Sequence, residues 1–242
     1  MVILKACLNG VRRPGEHPAL PVTPAAIAAD AARAVRAGAD ALHVHAKDDH
    51  GADTLDPVSV AAVLDAIHEA APGTPVGITT GAWAMPDPRH RVAVISEWTV
   101  LPDFASVNWH EPRAEDVAEA LLDRGVGVEA GLWQPAAVAS WRRWGHRDRC
   151  LRVLLEVVGD HPPEQAVFAA GRLVAALGEV TGETSVLLHG EGTSSWPVLA
   201  EAVRRGLDVR IGLEDVLVLR DGSPAESNAQ LVVTARGLLD QS

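Results

Sequence analysis

Tyrosine is absent from this 242-residue chain, and lysine occurs only at Lys5 and Lys47, arginine taking the other cationic positions. Cysteine is as scarce. Cys7 and Cys150 lie far apart and outside any Cys-x-x-Cys pattern, which excludes a disulfide framework and leaves both as reduced core thiols. There is no basic run, and the formal charge is −11, so the clustered cations that give affinity for a phosphate backbone are missing and nucleic acid is excluded as a partner. No uninterrupted apolar run is long enough to span a bilayer. The start, Met1-Val2-Ile3-Leu4-Lys5, lacks the basic, apolar and small-residue order of a secretory leader, and a cytoplasmic location is expected. Seven tryptophans without a tyrosine suggest an aromatic surface at Trp133, Trp141, Trp144 or Trp196 covered by a second subunit, hence a homo-oligomer.

What is present is a globular composition, 48% hydrophobic and 22% charged, with a βα rhythm and no low-complexity linker. Eight apolar, β-branched runs read as strands: Val2 to Asn9, Ala41 to Lys47, Pro75 to Thr80, Phe104 to Trp109, Val126 to Gly131, Leu151 to Val157, Ser185 to Gly190 and Val209 to Leu213. Helix signals fall between them. Thr23-Pro24 gives a polar N-cap and a proline at N1, with Gly38 past the helix end, and Asp56-Pro57 opens the next helix in the same way. Ser223-Pro224 with Glu226 three residues on reads as a capping box opening the last helix. Eight strand–helix pairs over residues 1–242 fit one (β/α)8 TIM barrel better than an open doubly wound sheet. In such a barrel the reactive residues sit at the C-terminal ends of the strands.

His43 and His45 stand two apart on the second strand, so they share a face, and that face should be inward. The pair suits two neutral imidazole ligands of a divalent metal, but equally a hydrogen-bonded pair of core histidines. The eighth strand adds Arg210, Gly212 and Glu214 in one phase, which offers Glu214 as a third ligand and leaves an open position for substrate; an Arg210–Asp215 structural pair is the alternative. Thr79, Thr80 and Gly81 can donate to a carboxylate or form a plain turn. Ser106 and Asn108 share one strand face. Glu129, alone in an apolar strand, is either catalytic or half of a buried ion pair. His189, on a face with Glu191, suits support of the site or of substrate more than ligation.

These residues sit within a set of segments that resembles the β-keto acid cleavage enzymes, the family of the 3-keto-5-aminohexanoate cleavage enzyme. The segments are Lys5-Ala6-Cys7-Leu8-Asn9-Gly10, Leu20-Pro21-Val22-Thr23-Pro24, Ala37 to His45, Thr79-Thr80-Gly81, Val128-Glu129, His189-Gly190-Glu191 and Arg210 to Asp215, spread over nearly the whole chain. The resemblance implies one zinc ion on His43, His45 and Glu214. It implies a reaction in which a β-keto acid and acetyl-CoA, as co-substrate, give acetoacetate and a new acyl-CoA. Arg210 and Asp215 match the family's catalytic arginine and aspartate, and the Thr79–Gly81 loop and Asn9 match positions at the substrate.

The departures are informative. Arg12 stands where the aminohexanoate enzyme has an acidic residue facing a substrate amino group, so the expected substrate is neutral or dicarboxylic rather than amino-substituted. Lys47, in phase with the histidines, is expected at the barrel mouth or simply paired with a neighbour such as Asp48. Two other readings compete: a zinc hydrolase of the amidohydrolase type, and a metal-binding homologue without turnover. The first expects its histidine pair on strand 1 and further histidines on middle strands, where this chain has none facing inward. The intact Arg210, Glu214 and Asp215 count against the second.

Overall fold

This computed structural model describes residues 2–180, 182 and 184–241. The strands are β1 Leu4–Cys7, β2 Ala41–Val44, β3 Val76–Thr79, β4 Phe104–Asn108, β5 Gly127–Leu132, β6 Arg152–Val157, β7 Ser185–Gly190 and β8 Val209–Ile211. The helices that alternate with them are α1 Pro24–Arg36, α2 Pro57–Ala70, α3 Pro88–Glu97, α4 Ala114–Asp123, α5 Pro135–Arg143, α6 Pro163–Leu177, α7 Ser195–Arg204 and α8 Asn228–Leu239. All pairings between the strands are parallel, in the order β7-β6-β5-β4-β3-β2-β1-β8. The ring closes where Leu187 bridges Asp208 and the Leu188 amide donates to the Asp208 carbonyl at 3.0 Å. This is the expected TIM barrel.

Strand alternation divides the side chains in two. Leu4, Ala6, Leu42, Val44, Val76 and Ile78 are buried in the apolar layer against the helices. The opposite face turns inward, and its lower part is charged: Lys5 Nζ lies 2.5 Å from Glu129 Oε2, Arg152 holds the other oxygen of Glu129, and Arg152 Nε also meets Asp208 Oδ2 at 3.2 Å. Lys5 and Glu129 are fully buried. Such charges are tolerated inside only when each is paired.

The N-caps of α1 and α2 are as expected: Thr23 Oγ1 accepts from the Ala26 amide and Asp56 Oδ2 from the Ser59 amide, and Gly38 sits past α1 at φ 109°. Three expectations are corrected. The last helix opens four residues later, because Ser227 accepts from the Gln230 amide, while Pro224 forms a β-bridge with Val218. The strands are shorter than their apolar runs; His45 follows the end of β2 and Glu214 follows the end of β8. Trp141, Trp144 and Trp196 are buried within the chain itself, so they offer no face to a second subunit.

Candidate active site and metal centre

At the C-terminal end of the barrel, His43 and His45 come from the end of β2, and Glu214 from the turn after β8. Each offers one ligand atom, and the three atoms lie within 4.8 Å of one another. Glu214 Oε1 is 3.9 Å from Nε2 of both histidines. Glu214 does not arrive by strand phase. Gly212 allows the chain to turn: a side chain there would meet the Cys7 carbonyl oxygen at 1.9 Å. Asn228 Oδ1 then captures the Leu213 amide at 2.7 Å. Gly10, at φ 55°, makes room on the other side, since a Cβ there would lie 2.4 Å from Glu214 Cγ.

The donor set fits a divalent cation. Burial, then the neighbouring His45 and the cations Lys5 and Arg210, pushes the His43 imidazole well below its ordinary pKa, so it is neutral. His45 Nδ1 is hydrogen-bonded to Asp53 Oδ2 at 2.7 Å, which directs the Nε2 lone pair at Glu214. Glu214 Oε2 is buried with no hydrogen-bond partner among the described residues. Two imidazoles and one carboxylate are a three-donor set that leaves a divalent cation an open coordination position.

The supporting side chains form a chain of contacts. Asp53 accepts from His45, from Lys47 Nζ at 2.5 Å and from Trp83 Nε1 at 2.8 Å. Although burial opposes it, the charges and hydrogen bonds of His45 and Lys47 hold the Asp53 carboxyl below its usual range. Lys47 also donates to the Gly10 and Arg12 carbonyls at 2.6 and 3.0 Å. It is therefore the paired lysine, its partner being Asp53, and it does not line the cavity. Asn9 uses its whole amide on structure: it donates to the Pro21 and His45 carbonyls and accepts from the His45 amide. Trp83 stacks on His45 with ring centroids 6.1 Å apart and is 44% exposed, covering the site.

A cavity of about 280 Å³ opens from the triad. Thr79, Ser106 and Asn108 line it, as do Arg210 and Glu214. Thr80 turns away and donates to the Ser106 carbonyl, and Gly81 lies under Trp83, where a Cβ would meet the indole at 2.2 Å. Arg210 Nη2 binds Asp215 Oδ1 at 2.5 Å and Glu214 Oε1 at 3.0 Å. Arg210 Nε and Asp215 Oδ2 are buried without a partner among the described residues. Burial raises the Asp215 carboxyl against the pull of Arg210.

A profile of the beta-keto acid cleavage enzyme family matches residues 1–242. The chain belongs to that family. It is 26% identical over 252 residues to the 3-keto-5-aminohexanoate cleavage enzyme of Acetoanaerobium sticklandii, covering 96% of this chain and 89% of that protein. Among solved structures, ObcA in binary complex with oxaloacetate superposes with a TM-score of 0.72 at 20% identity, over 93% of this chain and 64% of the ObcA chain. ObcA in ternary complex with a C4-CoA adduct and oxalate gives a TM-score of 0.71 at 19% identity, with the same coverage. At these identities the two structures speak for the fold.

In this beta-keto acid cleavage family member, Asp215 lines the adjoining cleft rather than the cavity, and besides Lys47, Thr80 and Gly81 four expected site residues stand apart from it. Glu129 is buried between Lys5 and Arg152, which outweigh burial and hold its carboxyl below the ordinary range, so of the two roles weighed it takes the ion pair. Arg12 lines an adjoining cleft, where Nε donates to the Leu213 carbonyl at 2.5 Å and the guanidinium meets Glu16. His189 lies behind the wall, its Nε2 3.3 Å from Glu156 Oε2, held neutral by burial and the Arg210 charge. Asn9 is the fourth. Conversely, Asp53, Trp83 and Glu156 were not singled out in the sequence. Glu156 interrupts the apolar run of β6 as Glu129 interrupts β5, and the same signal could have found it.

Proposed function

We propose that this chain is a zinc-dependent β-keto acid cleavage enzyme that uses acetyl-CoA and releases acetoacetate and a new acyl-CoA, with one zinc per chain and a cytoplasmic location. The bond between the β-ketone carbon and the methylene carbon breaks. The methylene carbon joins the acetyl carbonyl carbon, and the coenzyme sulfur released there takes the freed acyl group, so no oxidant or net proton is needed. The observation that carries this reading is the three-ligand cluster of His43, His45 and Glu214 beside an Arg210–Asp215 pair whose outer atoms are unpartnered. Family membership and the CoA adduct bound by the structurally similar ObcA support it.

A zinc ion on the cluster would supply Lewis acidity to the β-ketone and its carboxylate. The chain's own residues divide the remaining work. Asp215, which lines the adjoining cleft and is held against Arg210 with Oδ2 free, is assigned the methylene proton, taking it and returning it. Arg210 Nε, also free, is placed to hold the charge that develops on oxygen. Thr79, Ser106 and Asn108 offer donors to the substrate carboxylate, and Trp83 restricts water.

For the rest of the substrate, Arg12 faces the adjoining cleft and not the cavity, so it sets only the charge at the rim. Two carboxyls, Glu156 and Glu191, line the cavity itself. A second substrate carboxylate would meet these two carboxyls, so of the neutral and dicarboxylic substrates expected the neutral one is proposed. The test is a coupled assay for acetoacetate over a panel of β-keto acids with acetyl-CoA. Stoichiometric acetoacetate and acyl-CoA are expected; consumption of the keto acid without either product contradicts the reading.

A further inference from the structure

Behind the cavity wall, in the turn after β4, lies a carboxylate that the proposed chemistry leaves without a task. Glu111 stands three residues beyond Asn108, its amide closing the turn on the Asn108 carbonyl at 3.0 Å. Its side chain is only 6% exposed, so its oxygens are satisfied by protein groups. Oε1 accepts from Asn108 Nδ2 at 2.9 Å and from the Ala82 amide at 3.0 Å. Oε2 is paired with the guanidinium of Arg91, a buried residue of α3 that also donates from Nη1 to the Thr80 carbonyl at 2.9 Å.

All three partners of Glu111 are donors, and a carboxylate has an acceptor at each end to meet them. The ion pair with Arg91 and the Ala82 amide fix the carboxylate in place. The carboxylate in turn fixes Asn108, because only the nitrogen of that amide can face it. Asn108 Oδ1 is thereby turned toward β5, where a Cβ on Gly131 would approach it to 2.8 Å; glycine at that position leaves the room. Asn108 lines the cavity, whereas Glu111 is not among the residues that do. One N–H of the Asn108 amide is left for a ligand, in an orientation set before the ligand arrives.

We infer that Glu111 is a positioning residue, which locks the Asn108 amide in the one orientation that offers its remaining N–H to the substrate carboxylate. The inference rests on the proposed cleavage reaction, because it takes the keto acid carboxylate as the ligand of that wall. A glutamine at position 111 has the same shape but a single acceptor atom. That oxygen goes to the charged Arg91, since a buried guanidinium is the costlier group to leave unpaired. The glutamine NH2 then faces Asn108, whose amide turns over to meet it with Oδ1, and the preset donor is lost.

The test is Glu111→Gln, alone and on an Asn108→Ala background, with KM for the keto acid, KM for acetyl-CoA and kcat measured on zinc-loaded protein. We expect Glu111→Gln to raise the keto acid KM by about tenfold, with the acetyl-CoA KM moved by less than about twofold. On the Asn108→Ala background the same substitution should change the keto acid KM by less than about threefold, the non-additivity of residues that act through one contact. KM does not depend on the active fraction of a preparation, so partial loss of fold does not imitate this result. A keto acid KM unchanged in Glu111→Gln, or raised by the same factor with and without Asn108, overturns the positioning role and leaves the reaction standing. No acetoacetate from the wild type removes the reaction and the role together.

Discussion

His45 is held from both sides: its backbone by the Asn9 amide and its ring by Asp53, which Lys47 and Trp83 hold in turn. An imidazole whose outer nitrogen is fixed in this way presents its other nitrogen in one orientation, and loss of such a partner typically costs about 10–100-fold in metal affinity. We therefore expect Asp53→Asn to lower zinc affinity by roughly that factor while the circular dichroism spectrum is retained, measured by competition with a chromogenic chelator. Glu191, whose carboxyl is raised by burial and by the charges of Glu156 and Asp215, gives a second prediction. In the unfolded chain Glu191 protonates near 4.5, and in the folded chain near 8, so between these values the folded state binds more protons and stability falls as pH rises. Glu191→Gln removes that slope, and urea titrations should show it gaining on the wild type by up to about 3–4 kcal/mol between pH 5 and pH 8. Parallel pH profiles would contradict the raised Glu191 carboxyl. The histidine pair was legible because alternation along a strand fixes its face. Asp53 was not, because it reaches His45 from an irregular turn whose path no periodicity describes.

At the level of elements, the barrel was readable from eight apolar runs and two of its helix starts, Thr23-Pro24 and Asp56-Pro57. The last helix was misplaced because two serines, Ser223 and Ser227, each precede a plausible first turn, and only the Val218–Pro224 bridge settles which one is used. The Ser227→Ala substitution should cost about 1 kcal/mol in chemical denaturation, and Ser223→Ala much less. Glu214 was read correctly as a residue beside the histidines but by the wrong route. Strand phase would have required β8 to continue to Leu213, whereas the strand stops at Ile211 and the turn carries the carboxylate in. That turn depends on the space left by Gly10. Gly10→Ala adds a Cβ against Glu214 and strains a left-handed backbone, so it should lower zinc occupancy with a stability loss of about 1–2 kcal/mol. Full zinc content in that variant would mean that Glu214 is not a ligand.

Over the whole molecule, the barrel interior is split by height. Lys5, Glu129, Arg152 and Asp208 close the lower part in a paired network, and the His43–His45–Glu214 cluster, Arg210, Glu156 and Glu191 occupy the mouth. The sequence pattern placed charges on the strands but could not tell the supporting layer from the reactive one, since both recur with the same period of two. The distinction rests on free atoms: Glu129 spends both oxygens on cations, whereas Glu214 and Asp215 each keep one oxygen unpartnered among the described residues. The account stands most directly on the ligand cluster. The decisive measurement is acetoacetate formation from a β-keto acid and acetyl-CoA before chelation, after removal of metal, and after stoichiometric zinc is restored, alongside metal analysis of His43→Ala and Glu214→Gln. The account predicts loss of turnover on chelation, recovery at about one zinc per chain, and depleted metal in both variants. Acetoacetate produced at the same rate by the chelated protein would contradict it.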